Sequence, residues 1–160
     1  MPASFNMTFE PSGHLISVVR RFVRAMCEQI LGSGEFSSQV ALVTHELLEN
    51  AVRYCRDEQT SIALAVREQG GALEVEVKTE NQARDEDIAR ARGLLDRIAE
   101  ADDLFELYQS MILEAADRVR GSGLGLIRIC AETELTLEMT TRAETIVMLA
   151  RLRVPGGQKQ

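Results

Sequence analysis

Cysteine is scarce in this sequence and is not arranged in pairs. Cys27, Cys55 and Cys130 lie far apart along the chain, and no CxxC pair occurs. An odd count of well-separated cysteines argues against a disulfide framework. Because each cysteine lies in an apolar helical pattern, we interpret all three as buried thiols of a protein in a reducing compartment.

Long apolar runs and an excess of basic residues are also absent. No stretch of about 18 apolar residues occurs, and the segment from Met1 to Glu10 lacks the basic and apolar regions of a signal peptide. The net charge of -7 disfavours nucleic acid and anionic membranes as partners. The sequence therefore predicts a cytoplasmic protein that binds a protein partner or a small ligand.

Histidine occurs only at His14 and His45, which leaves no cluster of metal-binding residues. The pair His45-Glu46 does not continue into the HExxH motif of zinc proteases, because Glu49 stands where the second histidine is needed. We interpret His45 as a solvated or structural residue.

The length of 160 residues corresponds to one compact domain that can bury a core without disulfides or metals. The 45% hydrophobic and 27% charged residues are typical of a globular protein. Residue periodicity predicts, in order, a strand at 8–10, a helix at 14–31, a helix capped by Ser37 or Ser38 and ending near 55, a hairpin around Gly70-Gly71, a charged helical insert at 84–120, a helix at 124–131 and a hairpin at 135–154.

This order of elements predicts an α+β fold. We expect a two-layer sandwich in which helices cover one face of a mixed, mostly antiparallel sheet. Residues 1–154 are expected to form a single domain, and residues 155–160 a frayed tail.

A glycine-rich run, Gly121-Ser122-Gly123-Leu124-Gly125-Leu126, leads into the helix predicted at 124–131. Glycines let the backbone approach an anion, and the free N–H groups and dipole of a helix N-terminus stabilise phosphate charge. The spacing is GxGxG without a GK[ST] ending, so the run is neither a Rossmann fingerprint nor a P-loop. Taken alone, the glycines are equally compatible with a structural turn.

Glu46 and Asn50 form the second candidate constellation. They stand four residues apart on one flank of the second helix, at the edge of its apolar face, and can face a common ligand. An amide oxygen can coordinate magnesium. A carboxylate near a triphosphate can accept the proton of an attacking water or hydroxyl. The alternative interpretation of Glu46 is a solvated flank residue.

Together, the Glu46-x-x-x-Asn50 helix, the hairpin, the helical insert and the glycine run resemble the GHKL (histidine kinase-like) ATPase superfamily. That superfamily includes gyrase, MutL and the ATP-binding domains of histidine kinases. The resemblance covers nearly the whole chain in element order, and the compact size is most similar to bacterial anti-sigma-factor serine kinases. It implies a Bergerat-type ATP-binding fold in which residues 84–120 form the ATP lid.

The resemblance also implies a role for each candidate residue. Asn50 corresponds to the Mg²⁺ ligand and Glu46 to the general base. The glycine run corresponds to the phosphate-binding box of ATP, with contacts from Gly121, Ser122, Gly123, Leu124 and Gly125.

The chain departs from this family after the strand that contains Val77. The family has Asp-x-Gly-x-Gly there, and its aspartate accepts the adenine amino hydrogen, whereas this chain has Thr79-Glu80-Asn81-Gln82-Ala83. At the base-binding side, the Thr79 hydroxyl can bond adenine directly or through water, and Asn81 or Glu80 is the further expected substitute. The loss of a charge-assisted hydrogen bond costs roughly 1.5 to 3 kcal/mol.

Two functions of different classes are compatible with these residues. The leading hypothesis is an ATP-dependent serine/threonine kinase of the anti-sigma-factor type, which transfers the γ-phosphoryl group to a partner protein in a partner-switching pathway. The alternative, favoured by the missing aspartate, is a nucleotide-independent adaptor that acts by protein binding alone. A homodimer is compatible with both. A sensor histidine kinase fits less well, because 160 residues leave no room for a phospho-accepting helix pair.

Overall fold

The computed structural model describes residues 2–32, 34–57, 59–116 and 123–155. The predicted order of elements is confirmed in these ranges. The elements are β1 (Ala3–Phe9), α1 (Gly13–Leu31), α2 (Gly34–Tyr54), β2 (Thr60–Gln69), β3 (Ala72–Gln82), α3 (Asp85–Glu100), α4 (Leu104–Ala115), α5 (Leu124–Glu132), β4 (Leu135–Arg142) and β5 (Thr145–Val154).

The five strands form one sheet in the order β1-β2-β3-β5-β4. Each neighbouring pair is antiparallel, so the parallel pair that a mixed sheet requires is not found in the described part of the chain. The turn between β2 and β3 is made by Gly70 and Gly71, with φ of 59° and 79°. Two consecutive positive φ angles suit the tight turn of a twisted hairpin and explain why glycine occupies both positions.

The helices cover one face of the sheet, as the α+β prediction expects. Alternate residues of the three central strands are buried against the helices, among them Ile62, Leu64, Val75, Val77 and Leu152. The intervening residues, such as Lys78 and Glu80, point to the opposite face and are exposed. This alternation of apolar and polar residues fixes the register, because a shift by one residue would expose the core face.

Helices α1 and α2 pack against each other, and α2 lies on β3 and β5. The prediction that Ser37 or Ser38 caps α2 is wrong, because the helix already begins at Gly34. Ser37 lies within its first turn and is fully buried. Glu35 supplies a negative charge at this end, which stabilises the positive end of the helix dipole.

The three cysteines were expected to be buried thiols. Cys27 is fully buried, whereas Cys55 and Cys130 are only partly buried. Burial raises the pKa of Cys27 and of Cys130 to about 11, so both thiols stay protonated at neutral pH. Among the described helices, none combines the length and apolarity that a membrane crossing requires.

Candidate functional site

A cavity of about 300 Å³ lies between α2, the sheet and the two helices of the charged insert. Its walls come from six elements, α2, β3, α3, α4, α5 and β5, which are spread over most of the chain. The lining residues are Asn50, Ala51, Tyr54, Thr79, Asn81, Ala83, Asp87, Arg90, Ala91, Gly93, Leu94, Arg97, Met111, Gly123, Leu126, Ile146 and Met148.

Helix α2 contributes Asn50, Ala51 and Tyr54 to one wall of this cavity. Residues four apart lie on the same side of a helix, so Asn50 and Tyr54 follow each other along the wall. Asn50 is partly buried and lines the cavity. This position suits the predicted role of Asn50, since an amide oxygen is a ligand that Mg²⁺ accepts.

Strand β3 supplies the buried polar floor. Thr79 and Asn81 line the cavity and are 2% and 6% exposed. The amide Nδ2 of Asn81 donates a hydrogen bond to the carbonyl oxygen of Gln82 at 3.0 Å, which orients the side chain. Ala83 follows with its methyl group against the cavity. No carboxylate of β3 lines the cavity, in agreement with the missing Asp-x-Gly-x-Gly motif.

Helix α3 adds charged groups along its length that the sequence did not single out. Asp87, Arg90 and Arg97 all line the cavity. The Asp87 side chain is only 16% exposed, and its Oδ1 lies 3.6 Å from Nη1 of Arg90. The sequence does contain a pattern for this face, because residues 87, 90, 94 and 97 follow helical spacing. The pattern does not distinguish this face, because charged residues occur on all sides of the insert.

Glu46 does not line the cavity, although Asn50 does, one turn further along α2. It lies between α2 and α5 and is 8% exposed. Its Oε1 is 3.8 Å from Nη1 of Arg128 on α5. Burial raises the pKa of the Glu46 carboxyl, and the charge of Arg128 acts in the opposite direction. The interpretation of Glu46 as a solvated flank residue is therefore wrong.

Gly125 is packed directly against this carboxylate. A Cβ atom at Gly125 would lie 2.1 Å from Oε2 of Glu46. A Cβ atom this close to the carboxylate would force the end of the Glu46 side chain, or α5, to move. The glycine therefore allows α5 to approach Glu46 in its present position.

Gly123 precedes α5 in a left-handed conformation, with φ of 66°. It lines the cavity, and a Cβ atom there would lie 2.8 Å from Cδ2 of Leu94. The N-terminus of α5, which begins at Leu124, is thus at the edge of the cavity, and a helix N-terminus attracts anions. Gly121 and Ser122 of the same motif lie outside the described residues.

His45 has a structural environment rather than that of a metal ligand. Its Nε2 lies 3.5 Å from Oε1 of Glu49, one turn along α2. Within the described ranges, no group of three or more histidine, cysteine, aspartate and glutamate side chains could hold a metal ion. A metal at this site would therefore need most of its ligands from a bound molecule and from water.

Comparison with known proteins agrees with this geometry. A family model described as "Histidine kinase-like ATPase domain" matches residues 9–149. No curated protein matches the sequence significantly. A solved structure with a similar fold is a chain in the crystal structure of the SiaB–SiaC complex from Pseudomonas aeruginosa. It has 17% sequence identity and a TM-score of 0.70 over 94% of this chain and 89% of that chain.

Proposed function

Because this chain belongs to the histidine kinase-like ATPase domain family, we propose that its cavity binds Mg²⁺-ATP. The proposed reaction is transfer of the γ-phosphoryl group to a hydroxyl of a partner protein. The observation that carries this proposal is the meeting of two distant motifs at one cavity. Asn50 of the α2 motif and Gly123 of the glycine motif both line it.

The phosphate end of the nucleotide is assigned to the start of α5. Its N–H groups and dipole favour negative charge, and Gly123 and Gly125 add no side chain at this end of the helix. Magnesium would neutralise phosphate charge, with the amide oxygen of Asn50 as its protein ligand. A single protein ligand suits Mg²⁺, which takes its other ligands from phosphate and water.

The base end of the nucleotide is assigned to Thr79, Asn81 and Asp87. Thr79 stands at the position of the aspartate in the family motif and can offer only a neutral hydroxyl. Asp87 of α3 presents a carboxylate to the same cavity. A carboxylate there can accept a hydrogen bond from an exocyclic amino group, which compensates for the missing motif.

Glu46 is assigned as the general base of the transfer. It does not line the cavity, but it lies one turn from Asn50 and against Gly125 in the first turn of α5, where the phosphate end of the nucleotide is assigned. The attacking hydroxyl is therefore proposed to approach from that side. Its carboxylate takes the proton of the attacking hydroxyl while the oxygen forms a bond to the γ-phosphorus. The bond from that phosphorus to the bridging oxygen then breaks, and ADP leaves with the electron pair. A raised pKa brings a carboxylate closer to the pH at which it works, which improves proton transfer.

The partner is proposed to be a protein. The structural neighbour is a chain in a complex of two proteins, which supports protein recognition by this fold. We therefore favour a regulatory protein that exchanges or modifies a partner, with a homodimer as a compatible assembly. The residue Thr79 in place of aspartate supports a second candidate, an adaptor of the same fold that binds a partner without nucleotide.

Calorimetric titration of Mg²⁺-ATP into the purified protein separates the two candidates. We expect binding, and we expect Asn50→Ala to weaken it, whereas Asn6→Ala on the exposed side of β1 should not. Phosphoryl transfer is then measured with labelled ATP and candidate partner proteins, with Glu46→Gln as the inactive control. No binding at about 1 mM ATP, the limit of weak association, would exclude the kinase and leave the adaptor.

A further inference from the structure

Helix α4 carries an exposed apolar surface. Phe105, Ile112 and Leu113 are 59%, 45% and 76% exposed, and Tyr108 beside them is partly buried. Residues separated by three, seven and eight positions lie on one side of a helix. We refer to Phe105, Tyr108, Ile112 and Leu113 as the α4 ridge.

The ridge is not needed to hold α4 in the fold. Met111, on another side of the helix, is 5% exposed and lines the cavity. Glu114 on a third side accepts hydrogen bonds from Arg97 of α3 at 3.1 and 3.3 Å. Because α4 is attached through these contacts, Phe105, Ile112 and Leu113 are not needed to hold it, and they contribute exposed apolar area. Contiguous exposed apolar surface of this kind is typical of an interaction site.

The border of the ridge is acidic. The segment from 98 to 116 contains no lysine or arginine, and its exposed acidic residues beside the ridge are Glu100, Asp102, Asp103 and Glu106. Glu114 is paired with Arg97 of α3 and is not part of this border. The Asp103 carboxylate accepts hydrogen bonds from the backbone N–H groups of Phe105 and Glu106 and so begins the helix. A partner for this surface must cover apolar side chains while placing positive charge beside them.

We propose that the α4 ridge is the docking surface for an amphipathic helix of a partner protein in which lysine and arginine flank the apolar face. Two helices can pack through their side-chain ridges and grooves, and the basic flanks would face the acidic border. The inference extends the proposed function, because it locates the surface that recognises the partner. Its test uses no nucleotide and can therefore succeed or fail independently of ATP binding.

A second copy of this chain is a poorer occupant than such a helix. Two ridges facing each other would bring their acidic borders together, and like charges across an interface weaken association. The net charge of -7 adds to this repulsion. Self-association through α4 is therefore an outcome that would contradict the proposal.

The probe is a fluorescent helical peptide of about 18 residues, long enough to be amphipathic, with leucine on one face and lysine on the other. Two comparison peptides have glutamate in place of lysine, or the same residues rearranged without an apolar face. Fluorescence anisotropy measures binding to the intact protein. We expect only the Leu/Lys peptide to bind, and we expect its affinity to fall with added salt.

Matched variants locate the binding surface. Phe105→Ser with Leu113→Ser removes two exposed side chains of the ridge. Val18→Ser with Phe22→Ser removes two side chains of α1, each 50% exposed. We expect the α4 variant to weaken binding about tenfold or more, as truncation of interface anchors does, while the α1 variant binds normally.

Each other outcome overturns the proposal. Equal binding of the glutamate peptide, or of the rearranged peptide, would exclude a basic amphipathic partner. Equal loss in the α1 variant would exclude a role specific to α4. Sedimentation analysis completes the test, because a dimer that dissociates in the α4 variant would identify a second copy as the occupant. Both double variants should keep the circular dichroism of the parent, since the substituted side chains are exposed.

Discussion

Gly125 of α5 lies so close to Glu46 of α2 that a Cβ atom would come within 2.1 Å of the carboxylate oxygen Oε2. The glycine motif and the glutamate are therefore parts of one packing arrangement. The sequence alone left a plain structural role open for each of them. The contact ties the position of the proposed base to the start of the proposed phosphate-binding helix. A substitution at either residue is expected to change the position of the other.

The first prediction concerns this contact. Gly125→Ala places a methyl group where the Glu46 carboxylate lies, so the carboxylate or α5 must move. We expect a loss of stability of about 1 to 3 kcal/mol, as overpacking of a close contact causes, together with reduced phosphoryl transfer. Denaturant unfolding measures the first effect. Gly13→Ala is the control, since nothing lies within 4 Å of its added Cβ atom. Equal stability of the two variants would contradict the contact.

The second prediction follows from the buried carboxyl of Glu46. Burial raises its pKa above the ordinary value of 4.5, so the folded protein holds this proton more tightly than the unfolded chain. The stability contributed by the protonated form is fully present below pH 4.5 and is lost as the pH rises through the folded pKa. Glu46→Gln cannot ionise and keeps a similar shape.

We therefore expect Glu46→Gln to be more stable than the parent at neutral pH, and the difference to shrink as the pH falls towards 4.5. Unfolding curves recorded across this range measure the difference in the free energy of unfolding. Glu86→Gln, at a side chain that is 69% exposed, is the control. A constant difference at all pH values would show that the burial of Glu46 does not control the pH dependence of the free energy of unfolding.

The third prediction concerns Arg128, whose Nη1 lies 3.8 Å from Oε1 of Glu46. Its positive charge lowers the pKa of Glu46 and so opposes the effect of burial. In Arg128→Gln we expect the pKa of Glu46 to rise further. The acid limb of the pH profile of phosphoryl transfer should then move to higher pH. Arg24→Gln, which breaks an exposed ion pair on α1, is the control. An unchanged pH profile would show that Arg128 does not influence the pKa of the proposed base Glu46.

The fourth prediction concerns base recognition by Asp87. Thr79 stands where the family has its adenine-binding aspartate. If the carboxylate of Asp87 takes over that role, Asp87→Asn should weaken ATP binding by about tenfold or more, because a charge-assisted hydrogen bond is lost. Calorimetry measures the affinity. Asp85→Asn, on the same turn of α3 but exposed, should bind ATP as the parent does. Unchanged binding in Asp87→Asn would assign base recognition to Thr79 and Asn81 alone.

Local sequence patterns were sufficient to predict most of the fold. Alternation of apolar residues located β2 and β3, and the Gly70-Gly71 pair located their turn, because strand faces and tight turns depend on neighbouring residues. The start of α2 was mispredicted, because Ser37 is a good cap by type but is buried within the helix. Residue type alone does not reveal burial.

The candidate site was predicted only in part. Asn50, Thr79, Asn81 and Gly123 were identified from motifs and do line one cavity. Asp87 was missed, because one acidic residue in a charged insert carries no signal of its own. Glu46 and Asn50 were expected to face a common ligand, yet Glu46 contacts Gly125 and Arg128 instead of the cavity.

The periodicity of the chain thus accounts for its helices, its strands and the spacing of its motifs, since these depend on residues close together in sequence. Which side chains share a cavity depends on how α2, α3 and α5 pack on the sheet. That packing places Asp87 and Asn50 in the lining of one cavity and Gly125 against Glu46, across long stretches of chain. It is governed by the summed burial of many side chains, so no short motif encodes it.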